Sequence, residues 1–165
     1  MVLAKNKILG DYDEFDLLIL HELRDNGKIS IRELSHRIGL HPNTLMQRVK
    51  RLEDNKTIVK YTAEIDYSKL GYDLHVLLFM KVDKKTRGDW EMLSKLRAIK
   101  SILALYAITG DFDVLAILKV RDREHLMAVT KEINRNDFIL ETHTNLVLYP
   151  FKHAYEFNPF DGKII

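Results

Sequence analysis

Residues 30–53 read SIRELSHRIGLHPNTLMQRVKRLE, and the rest of the chain is organised around them. Ser30 is a good N-cap, and Glu33 follows at the three-residue spacing of a capping box. Ile31, Leu34 and Ile38 then recur at helical spacing. Gly39 ends that helix, since a left-handed residue is easiest without a Cβ. Leu40 packs back, and Pro42 sits where the first turn of a new helix tolerates a missing N–H. Leu45, Val49 and Leu52 give the second helix a narrow apolar stripe. Its other face carries Asn43, Thr44, Met46, Gln47, Arg48, Lys50 and Arg51.

That outer face has the chemistry of a groove reader. Asn and Gln make paired hydrogen bonds to adenine, Thr and Met touch a thymine methyl, and Arg reads guanine or holds a phosphate. An ordinary solvated helix more often pairs Glu with Lys at four-residue spacing. Residues 28–60 hold eight Lys/Arg (28, 32, 37, 48, 50, 51, 56, 60) against three acids (33, 53, 54), a local charge of +5. The same apolar stripe would serve a trihelical protein-binding module, but turn chemistry, spacing and charge sign agree on DNA. The expected contacts are Ser30, Arg37, His41, Pro42, Asn43, Thr44, Met46, Gln47, Arg48, Lys50 and Arg51.

Working outward, residues 1–27 carry three Lys/Arg against six acids, the opposite sign, so the chain presents one basic face rather than a general polycation. A helix is expected from Asp11, with Asp11, Asp13, Glu14 and Asp16 near its positive end and Phe15, Leu18, Ile19, Leu20 and Leu23 apolar. Asn26-Gly27 stops it, and residues 1–10 read as a loosely docked end. After Leu52, Asn55 is the expected left-handed cap. Residues 57–65 are rich in β-branched side chains and read as a strand-like connector. A turn at 67–71 closes the first domain, which gives 1–66 for DNA binding and 67–165 for the remainder.

The chain's 165 residues, with net charge +2, 46% hydrophobic and 30% charged, fit a folded protein with a real core. The absence of cysteine excludes disulfides, thiolate metal sites and Cys nucleophiles. Lys5 and Lys7 interrupt the short apolar start, and no uncharged run approaches the roughly 18 residues of a membrane helix. The expected location is the cytoplasm, with no membrane partner.

The second half alternates element types: strand 72–82, helix 86–98 with Trp90, Leu93 and Leu96 or Arg97 toward the core, strands 102–109 and 114–120, helix 123–134 and strand 139–149. The fold class is therefore α+β: a three-helix helix-turn-helix domain, a β connector, then a ferredoxin-like βαββαβ domain. Two helices cover one face of such a sheet. Leu77 and Phe79 nevertheless oppose Leu74, Val76, Leu78 and Met80, and the middle strands repeat the pattern, with Leu105 and Ile117 on the uncovered face. A wetted face should alternate apolar with polar, so Leu77, Phe79, Leu105 and Ile117 mark an interface with a second copy. The competing occupant is the tail, 149–165, with Phe151, Tyr155, Phe157 and Phe160; Pro150 and Pro159 interrupt it.

Taken together, these residues resemble the Lrp/AsnC (feast/famine) transcription regulators, from Tyr12 to Lys152. The match runs through Asp13, Asp16, Ile19-Leu20, Leu23, Asn26-Gly27-Lys28, Glu33-Leu34, Ile38-Gly39-Leu40, Thr44, Arg48-Val49 and Leu52-Glu53. It continues in the connector Ile58-Val59-Lys60-Tyr61-Thr62-Ala63 and the turn Lys69-Leu70-Gly71-Tyr72. Tyr106-Ala107-Ile108-Thr109-Gly110-Asp111-Phe112-Asp113 resembles the family's signature loop, and Glu141-Thr142-His143-Thr144 its last strand. The resemblance implies a RAM-type second domain that dimerises, with dimers joining into tetramers or octamers on roughly palindromic DNA. It implies no required cofactor, but an amino-acid effector between dimers, bounded by Tyr106, Thr109, Gly110, Asp111, Asp113, Thr142 and Thr144. Read without it, Gly and Asp at 110–113 are equally what a hairpin turn asks for.

Three residues depart from the family pattern: His41 where Ser usually caps the recognition helix, Ser35 for Ala, and Lys56 for Gly after that helix. His41 could reach a phosphate; Lys56 puts Asn55 in the turn or strains it. Other classes find little support. The seven His are scattered without metal-ligand spacing, and Glu141 with His143 is the one suggestive pair. An RNA-binding sheet would need aromatics on its central strands; 114–120 has none and Tyr106 stands alone. An architectural DNA-binding protein with weak sequence choice and no effector is the alternative.

Overall fold

The computed structural model describes residues 12–85, 88–153, 156 and 157, except for the side chains of Trp90 and Met92. The described chain divides into two compact units, the second over Ile65–Lys152. From His153 onward it groups with the first unit, where Arg24 donates to the Phe157 carbonyl.

The described residues of the first unit form three helices: α1 (Glu14–Asp25), α2 (Ile31–Ile38) and α3 (Pro42–Asp54). Ile19, Leu34, Leu45 and Leu52 are fully buried at its centre, with Ile29 and Val49 beside them. Asp13 caps α1 in a reciprocal capping box with Asp16, so the helix begins at Glu14; Asp11 and residues 1–10 lie outside the described residues. At α2 only half of the expected box forms. Ser30 accepts the Glu33 N–H at 3.1 Å, while the Glu33 carboxylate turns to Arg37. Gly39 takes the left-handed conformation with φ 76°, and Ser35 is buried, donating to the Arg32 carbonyl. Ile31, expected in the stripe, is exposed.

The turn after α3 corrects the expectation for Asn55. Asn55 has φ −83°, and Lys56 takes the left-handed position at φ 63°. Asn55 is held otherwise, because its side chain accepts from both the N–H and the hydroxyl of Thr57. A side chain at positive φ is strained. Lys56→Gly is therefore expected to stabilise the first unit by about 0.5–1 kcal/mol, the relief of strain less the extra freedom glycine has when unfolded. A thermal melt checks it.

The connector is also corrected. Residues 59–66 form no strand among the described residues, because β-branched residues need a neighbouring strand and the described residues of this unit offer none. Its anchors are local: Tyr12 and Thr57 share a 2.6 Å hydrogen bond, and Tyr61 donates to Glu53 at 2.9 Å. Burial, with that carboxylate beside it, pushes the Tyr61 hydroxyl up to about 12.

The second unit opens with a 3-10 turn, Tyr67–Leu70, ended by Gly71 at φ 79°. Then follow β1 (Leu74–Val82), α4 (Trp90–Ser94), a 3-10 turn over Lys95–Ala98, β2 (Ile102–Ala107), β3 (Val114–Val120), α5 (Arg123–Asn134) and β4 (Ile139–Leu146). The helix expected over 86–98 is thus shorter and breaks into 3-10 geometry; residues 86 and 87 and the Trp90 side chain lie outside the described set. All strand pairs are antiparallel, in the order β2-β3-β1-β4. Val76, Leu78, Met80 and Val82 of β1 and Val114, Ala116, Leu118 and Val120 of β3 face the helices. They pack there on Leu93, Leu96, Val129 and Ile133. No described helix is long and apolar enough to cross a membrane.

On the other face, Leu77 and Phe79 pair with Ile117 and Leu115 across β1 and β3, all half-buried. Leu105 is not among them. A bulge between Ile102 and Ala104 shifts the β2 register, so Leu105 pairs with fully buried Ala116 and packs into the helix-side core. A one-residue slip exchanges the faces of a strand, and it brings Ala104 and Tyr106 to the open side instead. The open face is apolar at its centre and polar along β4, where Glu141, His143 and Asn145 pair with Lys81, Phe79 and Leu77. Leu148, Tyr149 and Phe151 are exposed rather than laid over a core; Tyr155 and Phe160 lie outside the described residues.

Candidate nucleic-acid interface

α3 offers one continuous exposed face. Its cap is His41, whose Nδ1 accepts the Asn43 N–H at 3.3 Å, and Pro42 opens its first turn. Imidazole thus replaces a hydroxyl as the cap, so this ring nitrogen points at the helix start. Pro42, Asn43, Thr44, Met46, Gln47, Lys50 and Arg51 are all exposed, while Leu45, Val49 and Leu52 are buried. The helix therefore presents amide, hydroxyl, thioether and ammonium groups together, the set that hydrogen-bonds and contacts base edges. Ser30 is exposed at the start of α2 but engaged as its cap.

The arginines are placed differently from the rest. Arg37 donates to Glu22 of α1 and to Glu33, both at 2.8 Å, and these bonds raise its pKa. Arg48 turns inward to α1. Its Nη1 donates to both Asp13 oxygens at 2.8 and 2.7 Å and to Asp16 at 2.9 Å, and its guanidinium lies 5.4 Å from the Phe15 ring centre. Arg51 donates to the other Asp16 oxygen. Burial works against the Asp13 anion, but the Asp16 N–H bond and Arg48 outweigh it and hold this carboxyl below the ordinary range. Asp16 is the residue that periodicity hid. It is 1% exposed, at a position a helical wheel would give to an apolar side chain. The signal available was its place three residues after another acid, at the start of a helix.

In the second unit the loop after β2 lies on the open face. Phe112 packs on Phe79 and His143, with ring centres 5.7 and 4.7 Å apart. Asp113 is a structural latch: its N–H donates to the Met80 carbonyl and its carboxylate accepts the Val82 N–H, both at 3.0 Å. Gly110 has φ 113°, where a side chain is rarely accommodated. Tyr106, Thr109 and Asp111 are exposed. Thr142 and Thr144 stand apart from them. They pair with buried Met80 and Leu78, so they occupy the helix side of β4, the edge opposite β2. Glu141 and His143 do meet, at 2.9 Å, but no group of three or more metal-binding side chains exists among the described residues.

Comparison with known proteins gives this geometry a context. A family model described as winged helix-turn-helix DNA-binding matches residues 12–59, and one described as Lrp/AsnC ligand binding domain matches residues 76–157. The HTH-type transcriptional regulator FL11 of Pyrococcus furiosus is 31% identical over 147 residues, covering 89% of this chain and 96% of that protein. The proline dehydrogenase transcriptional activator of Rhizobium radiobacter is 30% identical, with 92% and 99% covered. Among solved structures, a Neisseria meningitidis transcriptional regulator in complex with L-Met superposes with TM-score 0.81 at 24% identity, covering 86% of this chain and 93% of that one. LrpC of B. subtilis gives TM-score 0.74 at 27% identity, covering 86% and 98%.

Proposed function

Because the chain belongs to the Lrp/AsnC family, and is thus a DNA-binding transcription regulator and not an enzyme, we propose that it reads specific, roughly palindromic duplex sites as a dimer. The observation that carries this reading is the exposed face of α3, where Asn43, Thr44, Met46 and Gln47 stand together on a buried apolar stripe. The helical unit binds the DNA, and the sheet unit, Ile65–Lys152, joins two copies through the open sheet face around Leu77, Phe79, Leu115 and Ile117. Two recognition helices then enter successive major grooves about 34 Å apart. The acids facing Arg37, Arg48 and Arg51 leave Lys50, exposed and without an acid partner among the described residues, as the α3 cation best placed for phosphate. All of this takes place in the cytoplasm.

The same reading includes an amino-acid effector and no obligatory cofactor. Support comes from the exposed Tyr106, Thr109, Gly110 and Asp111, with Asp113 fixing the loop, and from the L-Met held by the Neisseria protein. Thr142 and Thr144 lie on the other face, at the far edge of the sheet. A ligand touching both groups would therefore draw them from two copies, which suits a site between dimers.

Selection of bound duplexes from a random library, with and without each of a panel of amino acids, tests the proposal. A shared two-fold motif is expected, altered or weakened by one of the amino acids. Gln47→Ala should cost about 1–3 kcal/mol at particular base pairs and leave random DNA unaffected. Uniform binding across all sequences would instead indicate an architectural protein.

A further inference from the structure

We propose that Asp16 is a positioning residue for DNA recognition, fixing the recognition helix through Arg48 and Arg51, so that these arginines hold α3 in place rather than serve as its phosphate contacts. This rests on the DNA-binding reading above and says which of its residues set the aim of the helix.

Asp13, the cap of α1, and Asp16, in its first turn, lie three residues apart, and Arg48 and Arg51 lie three apart on one side of α3. The bonds cross between them. Asp16 takes Arg48 on one oxygen, and Arg51 with the Asp13 N–H on the other; Asp13 takes Arg48 on both. The Arg48 guanidinium also lies over the Phe15 ring. The Asp16 carboxylate is 1% exposed, and a buried anion is tolerated only while its partners remain. An arginine that swung out to a phosphate would take away one of the two cations that pair with it. The exchange is unfavourable, because a phosphate contact at the surface returns chiefly the release of one counterion.

Gln47 precedes Arg48, and Asn43 and Thr44 lie one turn before it. A base-edge hydrogen bond weakens steeply with distance and angle. A tilt of α3 that leaves its charge unchanged would therefore blunt reading more than grip. The staple is a specificity device, not a source of affinity.

The test uses the full chain, the best duplex from the selection above and a random duplex of equal length, with affinities measured across a salt series. Asp16→Asn should cut the ratio of selected to random affinity about tenfold and leave the salt slope unchanged, with a difference well below the roughly 0.9 that one lost phosphate contact removes. Arg48→Gln should do the same, and it serves where Asp16→Asn folds poorly. Partial unfolding scales both affinities alike, so the ratio reports helix orientation rather than folded fraction. Three results overturn the proposal: an unchanged ratio, a slope shallower by about one in Arg48→Gln, as for a lost phosphate contact, or a steeper slope with tighter random binding in Asp16→Asn, as for released arginines. A parent protein that shows no salt-dependent duplex binding defeats the DNA-binding reading itself, and this inference with it.

Discussion

Ile117→Asp is expected to separate the proposed dimer into monomers and to weaken binding to a two-fold site by about 10²–10⁴, the gain that linking two half-site contacts normally gives. Ile117 sits at the middle of β3, paired with Leu77 on one side and Ala104 on the other, on the face the helices leave open. It is only half-buried in one chain, so an aspartate there can hydrate in the monomer and the unit can fold. Pressed against a second copy, the same carboxylate would lose its water without gaining a partner, a large penalty. Light scattering should show half the parent mass, with unchanged secondary structure by circular dichroism. Fluorescence anisotropy should show that the selected duplex is now held little better than a single half-site. An unchanged mass would place the interface elsewhere. Ile117 makes a cleaner probe than Phe79, whose ring also supports Phe112 within the same chain.

The second large effect is expected in the helical unit. Leu45→Ala should cost about 2–5 kcal/mol, the transfer of the lost methyl groups plus the cavity they leave. Leu45 is fully buried among Ile19, Leu34 and Leu52, and a unit this small has a limited core to spare. DNA binding should be lost at 37 °C while the sheet-forming unit keeps its own unfolding transition. Two-step denaturation followed by circular dichroism separates the two. Leu45→Met, close in volume, should cost less than about 1.5 kcal/mol and retain binding. If Leu45→Ala binds DNA as tightly as the parent, the apolar stripe of α3 does not hold the recognition helix.

What could be read from the chain follows from how local each signal is. Gly39 needs no tertiary partner to end α2, and its φ of 76° bears this out. Pro42 at the start of α3, the 114–120 strand and the 123–134 helix likewise follow from periods and caps carried by neighbouring residues. Other features depend on side-chain and strand contacts that no period or cap encodes. Leu105 leaves the face that alternation gives it because a bulge two residues earlier shifts the register, and no alternation pattern announces a bulge. Residues 57–65 have strand composition without a strand to pair with. Asn55 lost the left-handed turn to Lys56 once its amide oxygen found Thr57. The exposed face of α3 was legible as a set, but its arginines were not, since residues 13 and 16 meet residues 48 and 51 only after three helices pack.

The sequence by itself determined the element order, the capped helix pair and the chemistry of the reading face, because these depend on spacing within a few residues. Only the tertiary structure decided which cations are paired with acids and which side of the sheet each strand residue takes. The ion pairs between α1 and α3 join residues more than thirty positions apart, and the β2 register turns on a bulge that only pairing with β3 sets, so both are created by packing.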